Sequence, residues 1–132
     1  LVASVGGLPA QAQRAPTVAL AGVFADDPAV ADTLRASLEA ELREAADLRY
    51  APRAARWVLH SRVTRIDVSA ERVRCEVSVV VAERRGGAVR AMLSGRASGH
   101  GASTDELRTR VVRAAVKGAL RPLGSRLAAH FR

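Results

Sequence analysis

The sequence predicts an α+β domain, a two-layer sandwich with the element order β-α-β-β-β-α. In it, two helices cover one face of a four-stranded, mostly antiparallel sheet. Three observations predict this arrangement: an apolar run leads into a capped amphipathic helix, three stretches of alternating residues follow, and a second amphipathic helix comes last. A chain of 132 residues has the length of one domain, which we place at residues 16–132, after an N-terminal segment of residues 1–15.

The first strand and the first helix are neighbours in the sequence. Residues Thr17–Phe24 form a short apolar run with β-branched side chains, which is typical of a buried strand. The helix begins after Asp26 and Asp27, because an acid suits the N-cap and Pro28 suits the first helical position. Apolar side chains then recur every four residues or so and predict one buried helix face: Val30, Leu34, Leu38, Leu42 and Ala45.

Three strands are predicted after Pro52. In the first, apolar side chains change from odd to even positions, which predicts a β-bulge near Thr64 and Arg65. In the second, Cys75 alternates in phase with four valines, so we expect a buried thiol. Gly86 and Gly87 predict a hairpin turn, and residues 99–101 a loop. The third strand has a predicted inner face of Val89, Ala91, Leu93, Gly95 and Ala97.

The last helix is predicted from a capping box, in which Ser103 caps the helix and Glu106 reaches back. Pro122 interrupts this helix, because it lacks an amide donor and clashes with the preceding turn. The predicted buried stripe runs on both sides of that proline: Leu107, Val111, Ala114, Ala115, Gly118, Leu123, Leu127 and Phe131.

Charge is distributed unevenly along the chain. The net charge is +8, and Lys117 is the only lysine among the 21 basic residues. Residues 1–50 hold four arginines and seven acids, whereas residues 51–132 hold 17 basic and six acidic residues. This asymmetry suggests a basic partner-binding face or self-association between an acidic and a basic region. No stretch approaches the ~20 apolar residues of a membrane-spanning helix.

The first twelve residues are apolar and uncharged and end in a small-x-small pattern, as the end of an export signal does. We therefore expect a periplasmic or extracellular protein of a bacterium. The alternative is that this segment is an arm of the mature protein, in which case a cytoplasmic location stays open.

The run VALAGVF before a capped helix, and the run WVLHSRVTRIDVS at the start of a meander, resemble small bacterial envelope domains. Examples are the lipopolysaccharide-assembly lipoprotein, the lipoprotein activators of peptidoglycan synthases and the curli-secretion channel subunit. The resemblance covers residues 16–131 and implies an exported assembly or scaffolding module. Cys75 lies in mid-strand and does not correspond to the lipobox cysteine of these lipoproteins.

The residues that carry most enzyme chemistry are scattered. His60, His100 and His130 belong to different predicted elements and lack the spacing of metal ligands. Cys75 shares its spacing with core valines, and no nucleophile motif or phosphate-binding glycine loop is present. We therefore predict no enzyme activity, no metal and no cofactor.

Two basic groups are candidate sites for an anion or a partner. The first is the predicted outer sheet face, and the second is one side of the last helix. Each is either a surface for phosphate, as in nucleic acid or lipid headgroups, or an ordinary solvated face. The residues are Arg72, Arg74, Arg90 and Arg96 on the sheet, near Arg62 and around Glu76, and Arg110, Arg113, Lys117 and Arg121 on the helix.

Self-association is predicted from three features: acids on the first helix that match the basic last helix, an apolar N-terminal arm, and a first strand at a sheet edge. The residues are Glu39, Glu41 and Glu44 on the helix, and Leu1, Val2, Val5 and Leu8 on the arm. The favoured function is an exported, non-catalytic assembly or structural module whose partner is a second copy or another envelope protein. The alternative is a basic module that binds nucleic acid without sequence preference, weakly and in a salt-dependent way, because stacking aromatics are missing from the basic strands.

Overall fold

Five strands and three helices make up the part of the chain that the structure, a computed structural model, describes: residues 15–102 and 104–129. None of the helices in these ranges is long and apolar enough to span a membrane. In chain order the elements are β1 (Thr17–Phe24), α1 (Pro28–Glu44), β2 (Arg49–Tyr50), β3 (Trp57–Val68), β4 (Arg72–Glu83), β5 (Val89–His100), α2 (Asp105–Leu120) and α3 (Leu123–Ala128).

The sheet is mixed and has five strands in the order β2-β1-β3-β4-β5, so the prediction of four mostly antiparallel strands is corrected. β1 is parallel to both β2 and β3, because α1 carries the chain back to the end of the sheet where β1 starts. The pairs β3–β4 and β4–β5 are antiparallel. β2 escapes prediction because two residues are too few to show an alternating pattern.

The predicted edge position of β1 is wrong, since β1 lies between β2 and β3. β2 pairs with only Thr17 and Val18, however. The long edge strand of the sheet is β5, with 12 residues. The arm of residues 1–14, which includes Leu1, Val2, Val5 and Leu8, lies outside the described residues, as do His130 and Phe131.

Side-chain caps fix the starts of both long helices. Asp27 caps α1 and accepts a hydrogen bond from the Ala29 amide at 2.8 Å, with Pro28 in the first turn as predicted. α2 is capped by Thr104, whose hydroxyl accepts from the Leu107 amide at 3.1 Å. The predicted N-cap, Ser103, is therefore off by one residue, because Thr104 supplies an equivalent hydroxyl at the right distance from Leu107.

The core lies on one face of the sheet, where α1 and α2 pack against it and against each other. Trp57 and Cys75 have no exposed surface there. Ala114, predicted to be buried, is exposed, because α2 turns Val112, Val116 and Ala119 inward. A helix that touches both a sheet and a second helix buries a stripe wider than simple four-residue spacing.

Register shifts in the sheet, two of them in the meander, set which side chains point outward. The predicted bulge lies between Val63 and Arg65, and the Thr64 hydroxyl there donates to the Glu76 carbonyl oxygen at 3.2 Å. An unpredicted bulge at Arg90 of β5, opposite Val81 and Ala82, shifts the β4–β5 pairing, so Val89 is 56% exposed rather than part of the inner face.

The end of β5 also differs from prediction. Gly99 and His100, predicted as loop, continue β5 and pair with Val73 and Arg72. Antiparallel pairing with the long β4 therefore overrides the local preference of two glycines for a loop.

Candidate functional site

The side of the sheet opposite the helices is the first candidate surface. Within the described residues no helix covers it, and we call it the open face. Cα register defines its rows, because directly paired residues point to the same side. One row contains Gly22, His60, Val80 and Met92, and the next contains Phe24, Arg62, Ser78 and Ser94.

One part of the open face is apolar. Met92 is 72% exposed and pairs with Val80, while Phe24 is 55% exposed and lies against the Arg62 guanidinium, 4.8 Å from ring centroid to Cζ. Val80 and Met92, with Val89 further along β5, form a group that we call the apolar patch: Val80, Val89 and Met92. Phe24 lies apart from it on β1, with β3 between them. Exposed large apolar side chains in such a group are a common mark of an interaction site.

The other part of the open face is charged, and acids are interleaved with its arginines. Glu76 pairs with Arg65 on one side and with Arg96 on the other. Arg74 lies opposite Asp67 in the strand register, and the Asp67 carboxylate accepts from Arg65 Nε at 2.8 Å. The predicted residues Arg72, Arg74 and Arg96 are thus placed together on one surface, with carboxylates beside them.

Arg90 does not belong to that group, which corrects the prediction. Arg72 pairs with His100, and Arg90 lies ten residues from His100 along β5. At the usual rise per residue, Arg90 is therefore about 33 Å from the Arg72 end of the sheet. Its guanidinium binds the Glu83 carboxylate at 3.3 Å.

The predicted basic side of α2 is exposed, and part of it faces acids of the same chain. Lys117 Nζ lies 3.9 Å from Glu41 Oε1. Glu44, Lys117 and Arg121 also line one cavity of about 300 Å³ between the helices. Glu39 pairs with Arg43 on its own helix at 3.5 Å. The contacts between the helices arise because α1 and α2 run in the same direction side by side. Arg110 and Arg113 are exposed further up α2.

The nucleophile and base candidates are separated in space. Burial, and then the Glu76 carboxylate, raise the pKa of the Cys75 thiol from 9.0 to about 11, so the reactive thiolate is disfavoured. His60 and His100 are exposed opposite Val80 and Arg72, which are about 26 Å apart along β4. The described residues contain no group of three or more His, Cys, Asp or Glu that would suit a metal ion.

A second surface lies at the end of the sheet where β3 begins and β4 ends. We call it the basic tip: Arg53, Arg56, Arg84 and Arg85. All four residues are exposed, and they belong to the β2–β3 loop and the β4–β5 hairpin. Between the loop and the hairpin lies a cavity of about 790 Å³, lined by Ala54, Ala55, Arg56, Glu83, Arg84 and Arg85.

Three contacts hold the basic tip in shape. Arg84 donates through Nη1 to the Arg53 carbonyl oxygen at 2.8 Å, and its amide donates to the Arg56 carbonyl oxygen at 2.9 Å. The Arg56 guanidinium lies over the Trp57 ring, 5.0 Å from its centroid. Our sequence reasoning missed this group because its arginines are some 30 residues apart. The available signal was that paired antiparallel strands bring the start of one beside the end of the next.

No model of a protein family matches this sequence, and no curated protein does. Solved structures with a similar fold include a hypothetical protein from Chlamydia trachomatis, with a TM-score of 0.66, 11% identity, and coverage of 86% of this chain and 99% of that one. A PelC dodecamer from Paraburkholderia phytofirmans has a TM-score of 0.56, 22% identity, and coverage of 90% and 93%. A lipoprotein from Neisseria meningitidis has a TM-score of 0.52, 16% identity, and coverage of 78% and 96%. At these identities the likeness shows a shared fold.

Proposed function

We propose that this chain is a non-catalytic module of a bacterial cell envelope that works by assembling with further copies of itself. Its fold is shared with a lipoprotein from Neisseria meningitidis and with PelC, which forms a dodecamer in its crystal structure. The apolar, export-like pattern of the first twelve residues supports the envelope location.

The observation that carries self-association is the apolar patch. Met92 and Val89 each expose more than half of their surface to water, which favours their burial against another surface. A second copy of this chain is the partner that fits best, because the neighbouring rows carry both signs of charge. Arg96 and Arg74 of one copy then meet carboxylates such as Glu76 and Asp67 of the next.

A role without chemistry is supported by the placement of the reactive groups. Cys75 is buried with its pKa raised to about 11, and the two described histidines lie near opposite ends of the open face. The arginines of that face lie among acids and bind by charge, as an interface does.

Light scattering on the full chain at tens of micromolar tests the proposal. We expect an oligomer that Met92→Glu dissociates, because the substitution places a charge in the buried centre of the contact. Val68→Glu is the control for an added charge. Val68 is 49% exposed, is the last residue of β3, and pairs with the core residue Val73 rather than with a row of the open face. A monomeric wild-type chain, or equal loss of assembly in both variants, contradicts the open face as the interface.

The predicted contacts of the arm and of α1 are tested in the same way. A chain that starts at Ala15 lacks residues 1–14, and loss of assembly in that chain alone would place the arm in the contact instead of the apolar patch. Arg110→Glu tests the predicted pairing of α2 with the acids of another copy, because it leaves the Glu41–Lys117 pair in place.

A further inference from the structure

We propose that the basic tip docks on the anionic phosphate headgroups of a lipid bilayer, so that the start of β1 faces the membrane. This inference rests on the envelope location in the proposed function, but not on self-association. The basic tip lies at the end of the sheet, next to the Val89 end of the open face, and is tested by variants of its own.

The first argument is unbalanced charge. Arg53, Arg56, Arg84 and Arg85 lie in two adjacent segments that contain a single acid, Glu83. Arg90 already binds that carboxylate at 3.3 Å. On the open face and on α2, in contrast, acids lie among the basic residues: Asp67 and Glu76 near Arg74 and Arg96, and Glu41 and Glu44 near Lys117 and Arg121.

The second argument is shape. The cavity of about 790 Å³ between the loop and the hairpin gives the tip a concave, arginine-lined surface. Arg84 is held by its bond to the Arg53 carbonyl oxygen, and Arg56 is held over Trp57. A guanidinium has five donors in a planar fork that suits phosphate oxygens, and a group already held in place loses less entropy on binding.

The third argument is where the chain enters the domain. The Pro16 carbonyl oxygen accepts from the Arg49 amide at 2.9 Å, and the Thr17 hydroxyl accepts from the Arg56 amide at 2.9 Å. The start of β1 is therefore fixed beside the basic tip. Docking of the basic tip then turns the start of β1 toward the bilayer.

A bilayer fits this surface better than nucleic acid does. Binding of single strands relies on aromatic rings on which bases stack. The aromatic ring at the tip, Trp57, has no exposed surface and lies beneath Arg56. Phosphate recognition by charge therefore remains the chemistry that the exposed groups offer.

Flotation of the full chain with vesicles tests the inference. We expect binding to vesicles of phosphatidylglycerol and phosphatidylcholine, and little binding to phosphatidylcholine alone. Each arginine near an anionic surface contributes about fivefold to partitioning, so Arg53→Gln with Arg85→Gln should weaken binding roughly 25-fold. This double variant keeps the bond from Arg84 to the backbone of residue 53. The matched control, Arg110→Gln with Arg113→Gln, removes the same charge from α2 and should lose far less.

Orientation gives a second readout. A polarity-sensitive dye on Ala54→Cys, at the tip, should shift to the blue on anionic vesicles, while the same dye on Ala70→Cys, in the hairpin at the other end of β3, should not. Equal loss in both double variants, equal binding to neutral vesicles, or a shift at residue 70 alone would overturn the inference. So would displacement by millimolar inorganic phosphate, which would identify a site for the free ion, or preferential binding of single-stranded DNA. A monomer that still binds vesicles through the tip refutes self-association only.

Discussion

The two faces of the sheet are built from the same strands but respond to opposite constraints. On β4, Val77 is 1% exposed and belongs to the core under the helices, while its neighbour Ser78 points to the open face between Arg62 and Ser94. The covered face must match the shape of two helices. The open face has no such partner within the described residues, so its sequence is free to carry apolar and charged groups for binding. The difference indicates that stability resides on one face and recognition on the other.

The largest expected effect comes from placing a charge on the covered face. Val77→Arg buries a guanidinium among apolar side chains with no partner, and we expect the folded state to be lost, since total stability is only ~5–15 kcal/mol. Circular dichroism and thermal unfolding measure this. Ser78→Arg adds the same group one residue away on the open face and should fold normally. Equal loss in both variants would contradict the strand register.

A smaller change on the covered face tests how closely β5 approaches α2. A Cβ atom on Gly95 would lie 2.1 Å from the Ala115 carbonyl oxygen and 2.5 Å from the Ala119 amide nitrogen, both backbone atoms. We therefore expect Gly95→Ala to lower the free energy of unfolding by about 1–3 kcal/mol. Urea unfolding is the measurement, with Ser94→Ala on the open face as the control. An unchanged Gly95→Ala variant would show that α2 does not lie so close to the sheet.

Cys75, on the covered face, makes the free energy of unfolding depend on pH. The unfolded chain loses the thiol proton near the ordinary pKa of 9.0, whereas the folded chain keeps it until about 11. The folded state binds more protons in that window, so stability is complete below pH 9 and falls between pH 9 and 11, by about 1 kcal/mol at pH 10.

Urea unfolding at pH 8 and pH 10 measures this effect. Cys75→Ala should remove that part of the pH dependence while leaving the part due to other groups. Thiol reagents at neutral pH should label the native protein slowly, whereas Ser94→Cys on the open face should be labelled fast. Rapid labelling of wild-type protein without denaturant would place Cys75 outside the core.

The smallest effect concerns how α1 is held on the covered face. Asp27 caps the helix through the Ala29 amide, so Asp27→Ala should cost about 1 kcal/mol of unfolding free energy. Asp26→Ala removes the same charge one residue earlier and should cost clearly less. Comparable losses in the two variants would indicate that charge near the helix N-terminus matters more than the hydrogen bond.

Sequence patterns worked where a structure repeats locally. Alternation placed Cys75 and its neighbouring valines in the core, and the change of parity located the bulge between Val63 and Arg65. Sequence patterns failed where a contact with another element, or an exact distance, decides the position of a side chain or a helix cap. The exposed Val89 follows from a bulge in β5, and the cap at Thr104 follows from its distance to Leu107, a geometry that the sequence motif does not fix.

The sequence by itself determined the layers of this protein, because the periods of helix and strand dictate which side chains face the core. It also determined the helix start at Asp27 and the buried thiol. Only the tertiary structure decided that β1 runs parallel between β2 and β3, that acids accompany the arginines of the open face, and that Arg53 and Arg56 meet Arg84 and Arg85 at one tip. Those outcomes depend on which strands become neighbours, and pairing between distant segments leaves no periodic trace in the chain.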